Sequence, residues 1–130
     1  MRGDEDMKFV YPAIFTEEDE SYIVEFPDLE GCQTFADSIP EAIEYAEEAL
    51  SGYLLSLLEA EQIPQKATDI RKVKTAKGFV SLVSCEIDVY KETKAVKKTL
   101  SIPTWLNNLA IEKGVNFSEV LRESLMARLF

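Results

Sequence analysis

Lys97-Lys98-Thr99-Leu100-Ser101-Ile102-Pro103 is a short alternating run that leads straight into two short helical segments separated by Gly114. No other stretch of this chain narrows its fold as far. Successive strand side chains point to opposite sides, so Lys97, Thr99 and Ser101 share a polar, basic face while Lys98, Leu100 and Ile102 share a mostly apolar one. Pro103 cannot continue a ladder but suits the first turn of a helix, where its missing N–H would be unpaired anyway. A helix is therefore expected from Pro103, with Trp105, Leu106, Leu109 and Ala110 as its apolar stripe. Gly114 reads as a left-handed stop, and Asn116 with Glu119 as the N-cap and capping box of a second helix running to about Leu129. Val120, Leu121, Leu125 and Leu129 cover one side of that helix. One strand and two helices cannot bury such a surface alone, so the segment calls for a second copy of itself.

From Val96 to Leu129 the segment resembles the ribbon-helix-helix repressors. The resemblance implies a homodimer in which the strands of two chains pair into an antiparallel ribbon that enters the major groove of operator DNA. It turns Lys97, Thr99 and Ser101 toward the base edges, where lysine donates to guanine O6 and N7 and hydroxyls donate or accept. It also sets Asn116, Phe117 and Ser118 against a phosphate, since free N–H groups and the helix dipole favour an anion there. A solvated hairpin edge carrying Lys97 and Lys98 is the plainer alternative. It is disfavoured because strand, Pro103, Gly114 and Asn116 all fall in register.

Charge divides the chain in two. Residues 1–70 hold 3 Lys or Arg against 18 Asp or Glu, a balance of −15, and residues 71–130 hold 11 against 6, a balance of +5, which together give the formal −10. A basic segment suits phosphate, whereas an acidic module is repelled by nucleic acid and suits a basic partner. An acidic surface that is merely solvated explains the first half equally well when taken by itself. With 130 residues and 46% apolar content the chain has room for one ordinary folded domain or two small ones. No apolar run approaches the roughly 20 residues that span a bilayer, and the acidic N-terminus lacks a signal pattern, so a cytoplasmic protein is expected. Cys32 and Cys85 are far apart and have no histidine companion, which leaves a zinc site or a redox motif unsupported. Both are expected to be buried, reduced thiols, and neither metal nor cofactor is expected. Met1 to Asp6 form a polar lead, read either as a flexible extension or as preceding a true start at Met7.

The N-terminal part alternates as strands do. Phe9 to Phe15 reads as a first strand, placed at an edge because of Pro12, with Tyr22 to Phe26 as a second and Cys32 to Phe35 as a third. Glu17 to Glu20 and Pro27 to Gly31 are the connections. Ser38-Ile39-Pro40-Glu41 has the form of a capping box and opens a long amphipathic helix with Ala42, Ala46, Ala49, Leu50, Tyr53, Leu54, Leu57 and Leu58 inward. Ile63-Pro64 ends it, residues 65 to 77 form a polar connection, and Phe79 to Tyr90 returns as a strand with Val83, Cys85, Ile87 and Val89 on one face. The fold class is α+β: a β-β-β-α-β sheet with one covering helix, followed by the β-α-α tail. Residues 7–92 form the first domain and 96–130 the second.

Tyr22-Ile23-Val24-Glu25-Phe26-Pro27-Asp28-Leu29-Glu30-Gly31-Cys32, followed by Ser38 and Glu41-Ala42, resembles the HicB antitoxin family over roughly Met7 to Tyr90. One departure is Glu20-Ser21, where the family usually places a glycine ahead of the tyrosine. The resemblance implies a sheet similar to a partial ribonuclease H fold, and a protein that binds and blocks HicA, a small basic ribonuclease toxin, while repressing the operon that encodes both. Under that reading Glu25, Asp28 and Glu30 are candidates for the toxin face. A HicB-like module with a ribbon-helix-helix tail is a known arrangement of the family, and pairing of sheet edges would raise the dimer to a tetramer.

Two other functions compete with this one. A metal-dependent nuclease would use Glu25, Asp28 and Asp37 on Mg²⁺, but no carboxylate partner stands at catalytic spacing, and turn or surface carboxylates are the better reading. Without histidine there is no imidazole base, and Ser or Cys nucleophiles lack their usual activator, so no enzyme is expected. A stand-alone ribbon-helix-helix repressor, whose acidic module binds some other regulator, shares the tail and differs only in its partner.

Overall fold

The computed structural model of the protein describes residues 6–88 and 92–130. The polar lead before Asp6 and the expected extension of the last strand through Val89 and Tyr90 lie outside them. Strand β1 spans Asp6–Glu18, β2 Ser21–Glu25, β3 Gln33–Ala36 and β4 Phe79–Asp88, and helix α1 spans Ile39–Glu59. The strands form one antiparallel sheet in the order β3-β2-β1-β4. The β-β-β-α-β order follows from the alternation of the sequence, and the helix covers one face.

Period two and period 3.6 meet in the core. Tyr11, Ala13 and Phe15 of β1, Val24 of β2, Ala36 of β3 and Val83, Cys85 and Ile87 of β4 are buried, as are Ala42, Ala46, Leu50 and Leu54 of α1. Those helix positions recur every four residues and so share one side of the cylinder. Leu50 and Leu54 are fully buried, and burying each contributes about 1.5–3 kcal/mol.

Three local details differ from expectation, each for a physical reason. Although Pro12 pointed to an edge strand, β1 lies inside the sheet. It pairs with β4 from Asp6 to Phe15, but with β2 only from Ile14 to Glu18. At Pro12 no strand flanks β1 on the second side, so proline occupies a local edge within an internal strand. The β1–β2 connection is the two-residue turn Asp19-Glu20, both left-handed at φ 51° and 65°, the geometry that matches strand twist in tight hairpins. Helix α1 begins as expected, with Ser38 Oγ accepting from the Glu41 N–H at 3.3 Å, yet it ends before Ile63-Pro64. Glu61 takes φ 59°, its N–H donates to Leu58 O, and the Gln62 N–H donates to Leu57 O. That paired closure stops the helix without waiting for the proline.

Gly78 allows the long connection to return onto the sheet. It has φ 74°, and a Cβ there would stand 1.9 Å from Phe15 O. Phe79 follows directly, pairs with Phe15 and stacks on its ring at 5.1 Å.

The tail holds helices α2 (Thr104–Glu112) and α3 (Phe117–Leu129). Gly114 at φ 72° ends α2, with its N–H donating to Ile111 O and that of Val115 to Ala110 O. Asn116 caps α3 by accepting from the Glu119 N–H at 3.1 Å. Residues 94–103 belong to no strand in the single chain. A strand needs a ladder partner, and among the described residues none pairs with this segment. Among the described residues no helix is long and apolar enough to cross a membrane.

Candidate functional site

Phe26 to Cys32 is a closed turn. The Phe26 N–H donates to Cys32 O, that of Leu29 to Phe26 O, and that of Cys32 to Leu29 O, at 3.0–3.1 Å. Phe26, Leu29 and Cys32 all point into the core. Tyr53 of α1 anchors the turn from the other side, its hydroxyl donating to Glu30 O at 2.8 Å.

The three acidic candidates separate in this setting. Glu25 and Glu30 are exposed. Asp28 is only 7% exposed, and its carboxylate accepts from the Thr68 N–H at 2.8 Å, from Thr68 Oγ1 at 2.5 Å and from Gln65 Nε2 at 3.4 Å. Its acidity is turned inward, onto the connection that follows α1. Tyr11 strengthens the same junction by donating its hydroxyl to Gln65 O. Burial raises the Tyr11 pKa above its ordinary value, and the neighbouring Asp28 charge adds to the effect. These contacts span 37 to 54 positions of sequence. No local pattern announces Gln65 or Thr68, so reading the sequence missed both.

Metal chemistry finds little support in this geometry. Asp37 is exposed and accepts from Ser21 Oγ at 3.5 Å, whereas Asp28 faces the interior. Among the described residues no group of three His, Cys, Asp or Glu side chains converges to hold an ion. Cys32 and Cys85 are buried and free. The Cys32 thiol is pushed up to about 11, chiefly by burial and then by Cys85, so it stays protonated and inert at neutral pH.

The opposite face of the sheet was not anticipated as a site. Phe35 is 72% exposed, and on the same face Leu82 and Val10 are also exposed. A shallow groove on β2 and β3 is lined by Glu18, Asp19, Ser21, Ile23, Gln33, Thr34 and Phe35. Alternation within Gln33-Thr34-Phe35-Ala36 carried the signal, since Ala36 inward forces Phe35 outward.

Lys97, Thr99 and Ser101 are all exposed, as are Asn116, Phe117 and Ser118 at the start of α3. No residue of α2 or α3 is buried. Thirteen large apolar side chains between Val96 and Leu129 are exposed, among them Trp105 at 64%.

A four-stranded antiparallel sheet under one helix, followed by two further helices, is the fold of the HicB antitoxins. The antitoxin HicB of Burkholderia pseudomallei superposes with a TM-score of 0.60 at 21% identity, covering 95% of this chain and 99% of that one. A toxin–antitoxin complex from Streptococcus pneumoniae contains a chain that is 29% identical, with a TM-score of 0.58 and coverage of 94% and 99%. A protein of 14.9 kDa from the rep–hol intergenic region of Haemophilus phage HP1 (strain HP1c1), described as uncharacterized, is 26% identical over 100 residues, 75% of each chain. The family profile described as HicB_like antitoxin of bacterial toxin-antitoxin system matches residues 11–129. The chain belongs to that family.

Proposed function

We propose that this chain neutralises a HicA-like ribonuclease toxin through its sheet module, residues 7–92, and represses its own operon through residues 96–130. It acts in the cytoplasm by binding, with no catalysis of its own. The tail works as a ribbon-helix-helix homodimer, with Lys97, Thr99 and Ser101 reading bases and Asn116, Phe117 and Ser118 holding a phosphate. Glu25 and Glu30 belong to the acidic toxin face, while Asp28 holds that face in shape from within.

The observation that carries the tail reading is the exposure of its apolar side chains in the single chain. An exposed apolar surface of this extent marks an interaction site, and a second copy of the chain is the occupant that the strand pattern of 97–102 favours. Pairing the 97–102 segments of two chains would supply the missing ladder, and packing of α2 and α3 across the dimer would bury Leu106, Leu109, Leu121 and Leu125. Family membership and the likeness to a toxin–antitoxin complex support the toxin reading.

Co-expression supplies the test. Cells producing a small basic HicA-like toxin encoded beside this chain should survive only when the chain is made as well, and the purified chain should protect a short palindrome upstream of its gene. Operator protection without rescue would favour the stand-alone repressor.

A further inference from the structure

We infer that the partner of the sheet module docks on the outer face of β2 and β3, with Phe35 as the anchor, and that it brings a basic surface carrying an apolar side chain. The inference rests on the toxin-binding reading above and specifies its surface. Val24 and Ala36 turn under α1, whereas Ile23 and Phe35, paired in register, face away from it. Phe35 is 72% exposed on the strand that ends the sheet. An exposed aromatic lining a groove suits the anchor of a protein contact, because a few large side chains carry most of the binding energy of an interface.

Charge selects the occupant. Glu18 and Asp19 close one end of the groove, within the acidic run Glu17-Glu18-Asp19-Glu20. From Phe9 to Gln65 the chain carries 14 Asp or Glu and no Lys or Arg. A second copy would bring the same acidic surface against itself, and a nucleic acid would be repelled, since like charges oppose both encounters. A basic protein surface is attracted to the rim, and its apolar side chain covers Phe35 and Ile23.

Isothermal titration of the full chain against an inactivated HicA-like toxin encoded beside it tests this. Phe35→Asp, at an exposed position, should keep the circular dichroism and melting of the parent and weaken toxin binding by about 30-fold or more. The pair Glu18→Lys with Asp19→Lys should weaken binding by about 10-fold and flatten its salt dependence. Leu82→Asp, on the same sheet face but on β4, should bind as the parent does. If the parent binds toxin and Phe35→Asp binds equally well, the docking surface is wrong while the toxin reading stands. If the parent binds no toxin, both fall. A lower sedimentation mass for Phe35→Asp with unchanged toxin affinity would make the groove a contact between copies and overturn the proposal.

Discussion

A single carboxylate fixes the geometry of the family's turn. Asp28 receives three hydrogen bonds from Gln65 and Thr68, so it ties the Phe26–Cys32 turn to a segment about 40 residues away. Asp28→Ala should destabilise the fold by about 1–2 kcal/mol in urea unfolding, because it removes three hydrogen bonds to a buried carboxylate, while the donors on exposed Gln65 and Thr68 can turn to water. Toxin affinity of the folded fraction should fall several-fold, because the loosened turn no longer holds Glu30 on the proposed toxin face. Burial sets a second property at this scale. Cys32 keeps its proton up to about pH 11 when folded, against an ordinary value of 9.0, and Tyr11 is raised in the same direction. Between those limits the unfolded chain holds fewer protons than the folded one, so stability falls as pH rises. Melting temperature should therefore be flat through neutral pH and decline from about pH 9 upward, and Cys32→Ala should shallow that decline.

At the scale of elements, the legible features were those written in adjacent residues. Ser38 and Glu41 announce the start of α1, Gly114 and Asn116 the break between α2 and α3, and alternation the buried face of β4. Illegible features depended on partners distant in sequence. Pro12 argued for an edge, and only the shortness of β2 reveals that an internal strand can offer one locally. Ile63-Pro64 looked like the end of α1, but the backbone closes earlier by placing Glu61 in the left-handed region. That conformation costs a side chain about 1–2 kcal/mol relative to glycine, partly offset by the greater freedom glycine brings to the unfolded chain. Glu61→Gly should therefore raise stability by about 0.5–1 kcal/mol, read as a higher urea midpoint at unchanged slope. The segment 97–102 is the remaining case: its pattern is that of a strand, and its proposed ladder partner belongs to another molecule.

Over the whole molecule, opposite charges are segregated along one chain, and this governs how it should meet DNA. Residues 94–130 carry six Lys or Arg per chain, Lys94, Lys97, Lys98, Lys113, Arg122 and Arg128, hence twelve in the proposed dimer. If about half of these neutralise phosphates, operator affinity should drop roughly a thousandfold between 50 and 200 mM salt, through counterion release. In the proposed complex the acidic module would work against this, because exposed Glu44, Glu47 and Glu48 on α1 would repel the same phosphates, and that repulsion would itself be screened by salt. Neutralising all three to Gln should therefore tighten binding to random-sequence DNA at low salt without improving discrimination for the operator. The variant Lys97→Ala, Thr99→Ala, Ser101→Ala should do the reverse: it should lose the operator, keep a weaker salt-sensitive attraction to any duplex, and still protect cells from the toxin. Gel-shift titrations of both variants at several salt concentrations separate these effects. Unchanged operator affinity in the triple alanine protein would show that the 97–102 segment does not read the bases.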